Sequence, residues 1–192
     1  MKRTCILTAL LLVAYPCLAQ DKDKPFPSEE EINLLLTQGD RAMQQYKATI
    51  ELEKMQFEKT PGEADAIAKD KEVYSGWETM SKGMKTKPKT FNSRFGLEIV
   101  LLLDDASRNM VLCSSQAAMQ VTSAGSVSEA QTLLHLAQSC SDTSTLIYTV
   151  SENAGALYQK YLDAEEQMTN EAAQFITKCG EILKNSTASQ KH

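Results

Sequence analysis

The chain holds five cysteines and two histidines, and these are the first residues to ask for chemistry. Cys5 and Cys17 fall in an expected signal peptide, which leaves Cys113, Cys140 and Cys179 in an exported form. In an oxidising compartment thiols pair. Cys113 and Cys140 lie on predicted helices that turn back on each other near Gly125, within about two helical turns in height, so 113–140 is the expected disulfide. Cys179 then remains a free thiol on the apolar side of its helix. A redox role needs an exposed thiol of low pKa, and an inward Cys179 does not suit one.

The other reactive types do not assemble. His135 falls opposite the apolar side of its helix and His192 ends the chain, so neither is held as a hydrolase base must be. The sequence has no Glu-x-x-His pair for a di-metal bundle. It also lacks paired Cys-x-x-Cys for zinc and Cys-x-x-Cys-His for haem. No glycine-rich phosphate loop appears. Asp104 and Asp105 are adjacent on a helix, so they point about 100° apart and form no carboxylate dyad; Asp104–Arg108 reads as a surface pair. Glu165 sits at the edge of an apolar stripe, and Glu166 faces away from it. No catalytic, metal or cofactor site is expected.

Lys82, Lys85, Lys87, Lys89 and Arg94 make one basic stretch in an acidic chain of net charge −5. They flank an expected loop at 83–92, and the plain reading of them is a solvated, mobile connection around Pro88; the sharper reading is a docking site for an anionic partner. The overall acidity argues against nucleic acid, which needs a basic face to displace counterions.

The elements that must position these residues follow from hydrophobic spacing. The longest stripe comprises Leu146, Ile147, Val150, Ala154, Leu157, Tyr158, Tyr161, Ala164, Met168, Ala172, Phe175, Ile176, Cys179, Ile182 and Leu183. Its steps of three and four predict one helix side roughly 55 Å long. A first helix at 29–59 opens on the capping box Ser28–Glu31 and carries Ile32, Leu35, Leu36, Gly39, Met43, Tyr46, Ile50 and Phe57. Thr60-Pro61-Gly62 stops it. A second helix at 63–82 turns Ile67, Val73, Tyr74, Trp77 and Met80 inward, with Trp77 as a core anchor; Asp70, Lys71, Glu72 and Lys82 face solvent. A third, at 93–122, has apolar residues on opposite sides, with Leu97, Val100 and Leu101 against the main stripe. It is expected at the bundle centre, covered on both sides. Ser126–Glu129 offers a second capping box, opening a fourth helix at 127–140. Ser139–Thr145 is rich in side chains that compete with helix backbone and predicts a break, with Asp142 capping a fifth helix at 143–184.

Lys2 and Arg3, an apolar run at 6–14 and small residues at 17 and 19 describe a signal peptide at 1–19. A disordered leader at 20–27, one helical-bundle domain at 28–184 and a disordered tail at 185–192 complete the division. The expected fold is all-α, a mostly antiparallel bundle of about five helices, two of them long. The function read from this is that of a non-enzymatic, exported protein acting by contact, as a binding or scaffold module in the periplasm or outside the cell. Its expected partner is a protein or envelope component, or a second copy, and its mature chain has no transmembrane segment. An alternative is a carrier of a small apolar ligand between helices; a hydrolase using carboxylates alone ranks last.

Overall fold

The computed structural model describes residues 26–57, 60, 62–87 and 91–189. The described residues contain four helices and no strand: α1 (Glu29–Phe57), α2 (Glu63–Thr86), α3 (Ser93–Val121) and α4 (Val127–Ser189). The expected signal peptide and most of the leader lie outside them, as does Lys89. The chain divides into two units: Pro27–Tyr161 holds α1 to α3 and the first part of α4, and the second holds α4 from Leu162.

Within Pro27–Tyr161 the helices alternate in direction. Tyr46 reaches Asp70 and Asp40 reaches Trp77, so α2 runs back along α1. Asp70 reaches Asn109, which sets α3 against α2. Ser107 meets Ser144, and Cys113 is bonded to Cys140, which sets α4 against α3. Glu31 pairs with Lys160, Gln38 with Asn153 and Thr49 with Thr143, so α4 also runs antiparallel to α1. Each helix thus covers its apolar stripe with two antiparallel neighbours. Leu36, Met43, Tyr46, Ile99, Leu103 and Ile147 fill the interior at 1% exposure or less.

The helix starts follow local chemistry. Ser28 and Glu31 form the expected reciprocal box: the Ser28 N–H donates to Glu31 Oε2 at 2.8 Å, and the Glu31 N–H donates to Ser28 Oγ at 3.2 Å. Gly62 caps α2 at φ 90°, in the left-handed region that favours glycine. Asn92 caps α3 by accepting from the Phe95 N–H at 3.1 Å. At α4 the box is altered. Ser126 Oγ accepts from the Glu129 N–H, but Glu129 reaches past Ser126 to the Gly125 N–H at 2.7 Å.

Lys160 extends the first cap into a tertiary contact, with Nζ at 2.7 Å from Glu31 Oε1. The Lys160 hydrogen bond and then the Ser28 backbone hold the Glu31 carboxyl down from 4.5 to about 2. A depressed carboxyl contributes stability above its unfolded pKa and loses it as pH falls toward its folded value. Glu31 is 42% exposed, so after solvent screening the pair is worth roughly 0.5–1 kcal/mol. Glu31→Gln should therefore lower stability by about that amount near neutral pH and by almost nothing near pH 2. Urea titrations at the two pH values check this; an equal loss at both would show that the charge is not involved.

Four expectations change. The break at 139–145 does not form, and the two helices expected at 127–140 and 143–184 are one. The hydroxyls there are occupied rather than competing with the helix backbone. Thr143 Oγ1 lies 2.9 Å from Thr49 Oγ1, Ser144 Oγ donates to Ser107 O at 3.1 Å, and Thr145 Oγ1 donates to the Ser141 carbonyl one turn back. Asp142 accepts from Gln138 on the same helix instead of capping one. Second, α2 continues to Thr86, so part of the expected loop at 83–92 is helix. Third, α4 runs on to Ser189, through the first residues of the expected tail at 185–192. Fourth, Leu97 and Leu101 are 44% and 53% exposed, so the first half of α3 is not covered on both sides. Two antiparallel neighbours suffice for its main stripe, and its opposite side stays open.

Candidate functional site

The most chemically loaded place in Pro27–Tyr161 is a buried polar cluster between α1, α2 and α3. Asp70 was expected to face solvent, but it is 3% exposed. Its Oδ1 accepts from the Tyr46 hydroxyl at 2.8 Å and from Asn109 Nδ2 at 2.5 Å. Glu53, also 3% exposed, shares a hydrogen bond with Asp70. Two carboxyls brought this close disfavour each other's ionised form. Burial pushes the Asp70 carboxyl above its ordinary range, outweighing the hydrogen bonds from Tyr46, Asn109 and Glu53 that favour its charge. Burial, and then the charge of Asp70, push the Tyr46 phenol far up, so it serves as a donor at any physiological pH.

Helical spacing accounts for this placement. Asp70 falls three residues after Ile67 and four before Tyr74, on the inward side of α2. Glu53 fills the same kind of step between Ile50 and Phe57 on α1. Neither acid interrupts its stripe, because Tyr46 and Asn109 supply the donors that a buried carboxyl requires. Sequence reasoning missed Glu53 altogether; its position on an apolar stripe was the available signal.

A cavity of about 820 Å³ opens beside the cluster, lined by Glu53, Asp70 and Asn109 within and by Leu112, Gln116 and Met119 of α3 toward its mouth. The outer side of α3 continues from it. Leu97, Leu101, Val111, Leu112 and Met119 fall within an arc of roughly 100°, and they are 44–70% exposed. The expected Asp104–Arg108 pair crosses this strip at 2.7 Å.

A second feature joins α1 and α2. The Trp77 ring, 1% exposed, lies on Gly39, where any Cβ would overlap it. Trp77 Nε1–H donates to Asp40 Oδ1 at 2.9 Å, Ser81 Oγ donates to the same oxygen at 2.8 Å, and Lys85 pairs with Asp40 Oδ2. Burial raises the Asp40 carboxyl, but the bonds from Lys85, Ser81 and Trp77 outweigh it and hold the group below its ordinary range.

Described residues of the basic stretch border two grooves. Lys82 and Lys85 project from α2 and border a groove of about 600 Å³ with Asp40 and Glu78. Lys87 caps α2 through its backbone, and Arg94 borders a different groove with Glu98. Acids stand beside the cations in both grooves.

Cys113 and Cys140 form the expected disulfide, with Cα atoms 6.0 Å apart and 27 positions apart in sequence. Closing a loop of that length stabilises the fold by roughly 3.5 kcal/mol in the chain-entropy description. Cys179 is a free, half-buried thiol, and His135 is exposed. Among the described residues, no three His, Cys, Asp or Glu side chains come together as a metal site, and no helix is long and apolar enough to cross a membrane. Comparison of the chain with protein-family models, with curated proteins and with solved structures found no match.

Proposed function

We propose that this is an exported, non-enzymatic helical protein that works by contact, and that the outer side of α3 is its recognition surface. The observation that carries this reading is the strip Leu97, Leu101, Val111, Leu112 and Met119, exposed on the Pro27–Tyr161 unit. A run of large apolar side chains on a helix of a finished bundle serves association more readily than folding. The Asp104–Arg108 pair would set register within it. The Cys113–Cys140 disulfide is compatible with an oxidising compartment, periplasmic or extracellular.

The cavity beside Glu53 and Asp70 keeps the two other readings open to the same experiment. Its volume falls in the range of small-molecule sites, as a carrier of apolar ligands would need. Its acid pair is the one arrangement a carboxylate-only hydrolase could use. The contact reading fits better, because Asp70 Oδ1 is already engaged by Tyr46 and Asn109.

Native mass spectrometry of the protein purified from its own envelope or medium tests this. The wild-type chain should retain a macromolecular partner, and Leu101→Arg with Leu112→Arg should lose it while keeping the same helix content. A bare chain mass in both samples overturns the contact reading. A small-molecule adduct that survives the double substitution supports the carrier instead.

A further inference from the structure

Beyond Leu162, α4 carries a heptad stripe: Met168, Ala172, Phe175, Cys179 and Ile182, in alternating steps of four and three. Met168 and Ile182 are 53% and 62% exposed, and the neighbouring Ile176 is 69% exposed. Phe175 and Cys179 are half-buried, and Ala172 is exposed. We propose that this stripe binds a second copy of the chain, with the two helices antiparallel. This goes beyond the contact reading, which concerns the Pro27–Tyr161 unit, and it stands or fails separately.

Charge and size together select this occupant. Glu165, Glu166 and Glu171 lie before the midpoint at Phe175, and Lys178 and Glu181 lie after it. Turning a second helix end for end brings the acidic half of each copy to the half of the other that carries Lys178. In the heptad frame Glu171 and Lys178 both occupy the g position, and antiparallel helices bring g against g. Each Glu171 therefore meets Lys178 of the second copy, twice by symmetry. The same register sets Ala172 against Phe175 of the second copy and Cys179 against Met168 of the second copy. These two layers each match a small side chain with a large one, as close packing requires, and the outermost layer sets Ile182 against Glu165 of the second copy. A parallel pairing would instead stack Phe175 on Phe175 and Ala172 on Ala172, and would set Glu171 against Ile176. The contact spans 165–182, about 25 Å of helix. That places it at the small end of specific interfaces, so association is concentration-dependent.

Sedimentation equilibrium of the exported chain should show a monomer–dimer equilibrium. Glu171→Lys and Lys178→Glu, each alone, should weaken it about tenfold, because both symmetric pairs become repulsive. The double swap Glu171→Lys with Lys178→Glu should restore it. Both positions are on the helix surface, and circular dichroism confirms that the variants keep their helix. As a second readout, Met168→Cys under oxidised glutathione should give a covalent two-chain species through Cys179 of the second copy. Two positions eleven residues apart on one helix cannot bridge within a chain. A single-chain mass up to near-millimolar concentration overturns the proposal. So does a double swap that fails to recover, or a wild-type chain that cross-links readily through Cys179 alone.

Discussion

Trp77→Ala should lower the unfolding free energy by about 4 kcal/mol, a large share of what a single domain possesses. The ring is 1% exposed and fills the space between α1 and α2, so truncation leaves a cavity that two long helices cannot close. It also removes a donor from Asp40, which would keep Ser81 and Lys85. Gly39 is the other half of the contact. Gly39→Ala places a methyl inside the ring and should cost about 2 kcal/mol or more by overpacking. The two changes should not add. In the Trp77→Ala background a methyl at position 39 enters empty space, and its cost should fall to near zero. Urea denaturation followed by circular dichroism measures all four corners of this cycle. Additive losses would mean that Gly39 and Trp77 do not oppose each other.

Asp70 should separate into two effects. Asp70→Ala leaves the Tyr46 hydroxyl and the Asn109 amide without their acceptor and should cost about 3 kcal/mol. Asp70→Asn keeps that acceptor oxygen and leaves Glu53 without a second carboxyl beside it. The sign of its pH dependence follows from the raised Asp70 pKa. A carboxyl raised on folding contributes stability at acid pH and loses it as pH rises through its folded value. The Asn variant has no such loss. It should therefore be at least as stable as wild type near neutral pH, with an advantage that grows as pH rises above the ordinary carboxylate range. Chemical denaturation across that rise in pH is the measurement. If Asn costs as much as Ala at every pH, the Asp70 carboxyl is not raised by its burial.

The helical class and the identity of most interior residues were already present in the spacing of apolar side chains. Ile32 to Phe57, Ile67 to Met80 and Ile147 to Leu157 recur at three and four, and such a period closes only on an α-helix with one side buried. The cap at Ser28, the Cys113–Cys140 bridge and the anchoring role of Trp77 depend on short-range or strongly hydrophobic interactions, and they follow from the same reading. What failed depended on partners distant in the chain. The hydroxyls of 139–145 read as helix breakers because their alternatives within the segment favour a turn. Thr49 and Ser107, on two other helices, satisfy Thr143 and Ser144 and let the helix continue. Asp70 read as a solvent residue because burying a lone carboxylate is costly. Only the packing of three helices brings Tyr46, Asn109 and Glu53 to it. The outer strip of α3 is the converse case. Its apolar character is plain in the sequence, but periodicity specifies only that a side is apolar, not whether a neighbour covers it. The four helices of the described residues leave that strip open, and buried hydroxyl pairs between residues 37 and 94 positions apart let α4 run on as one helix.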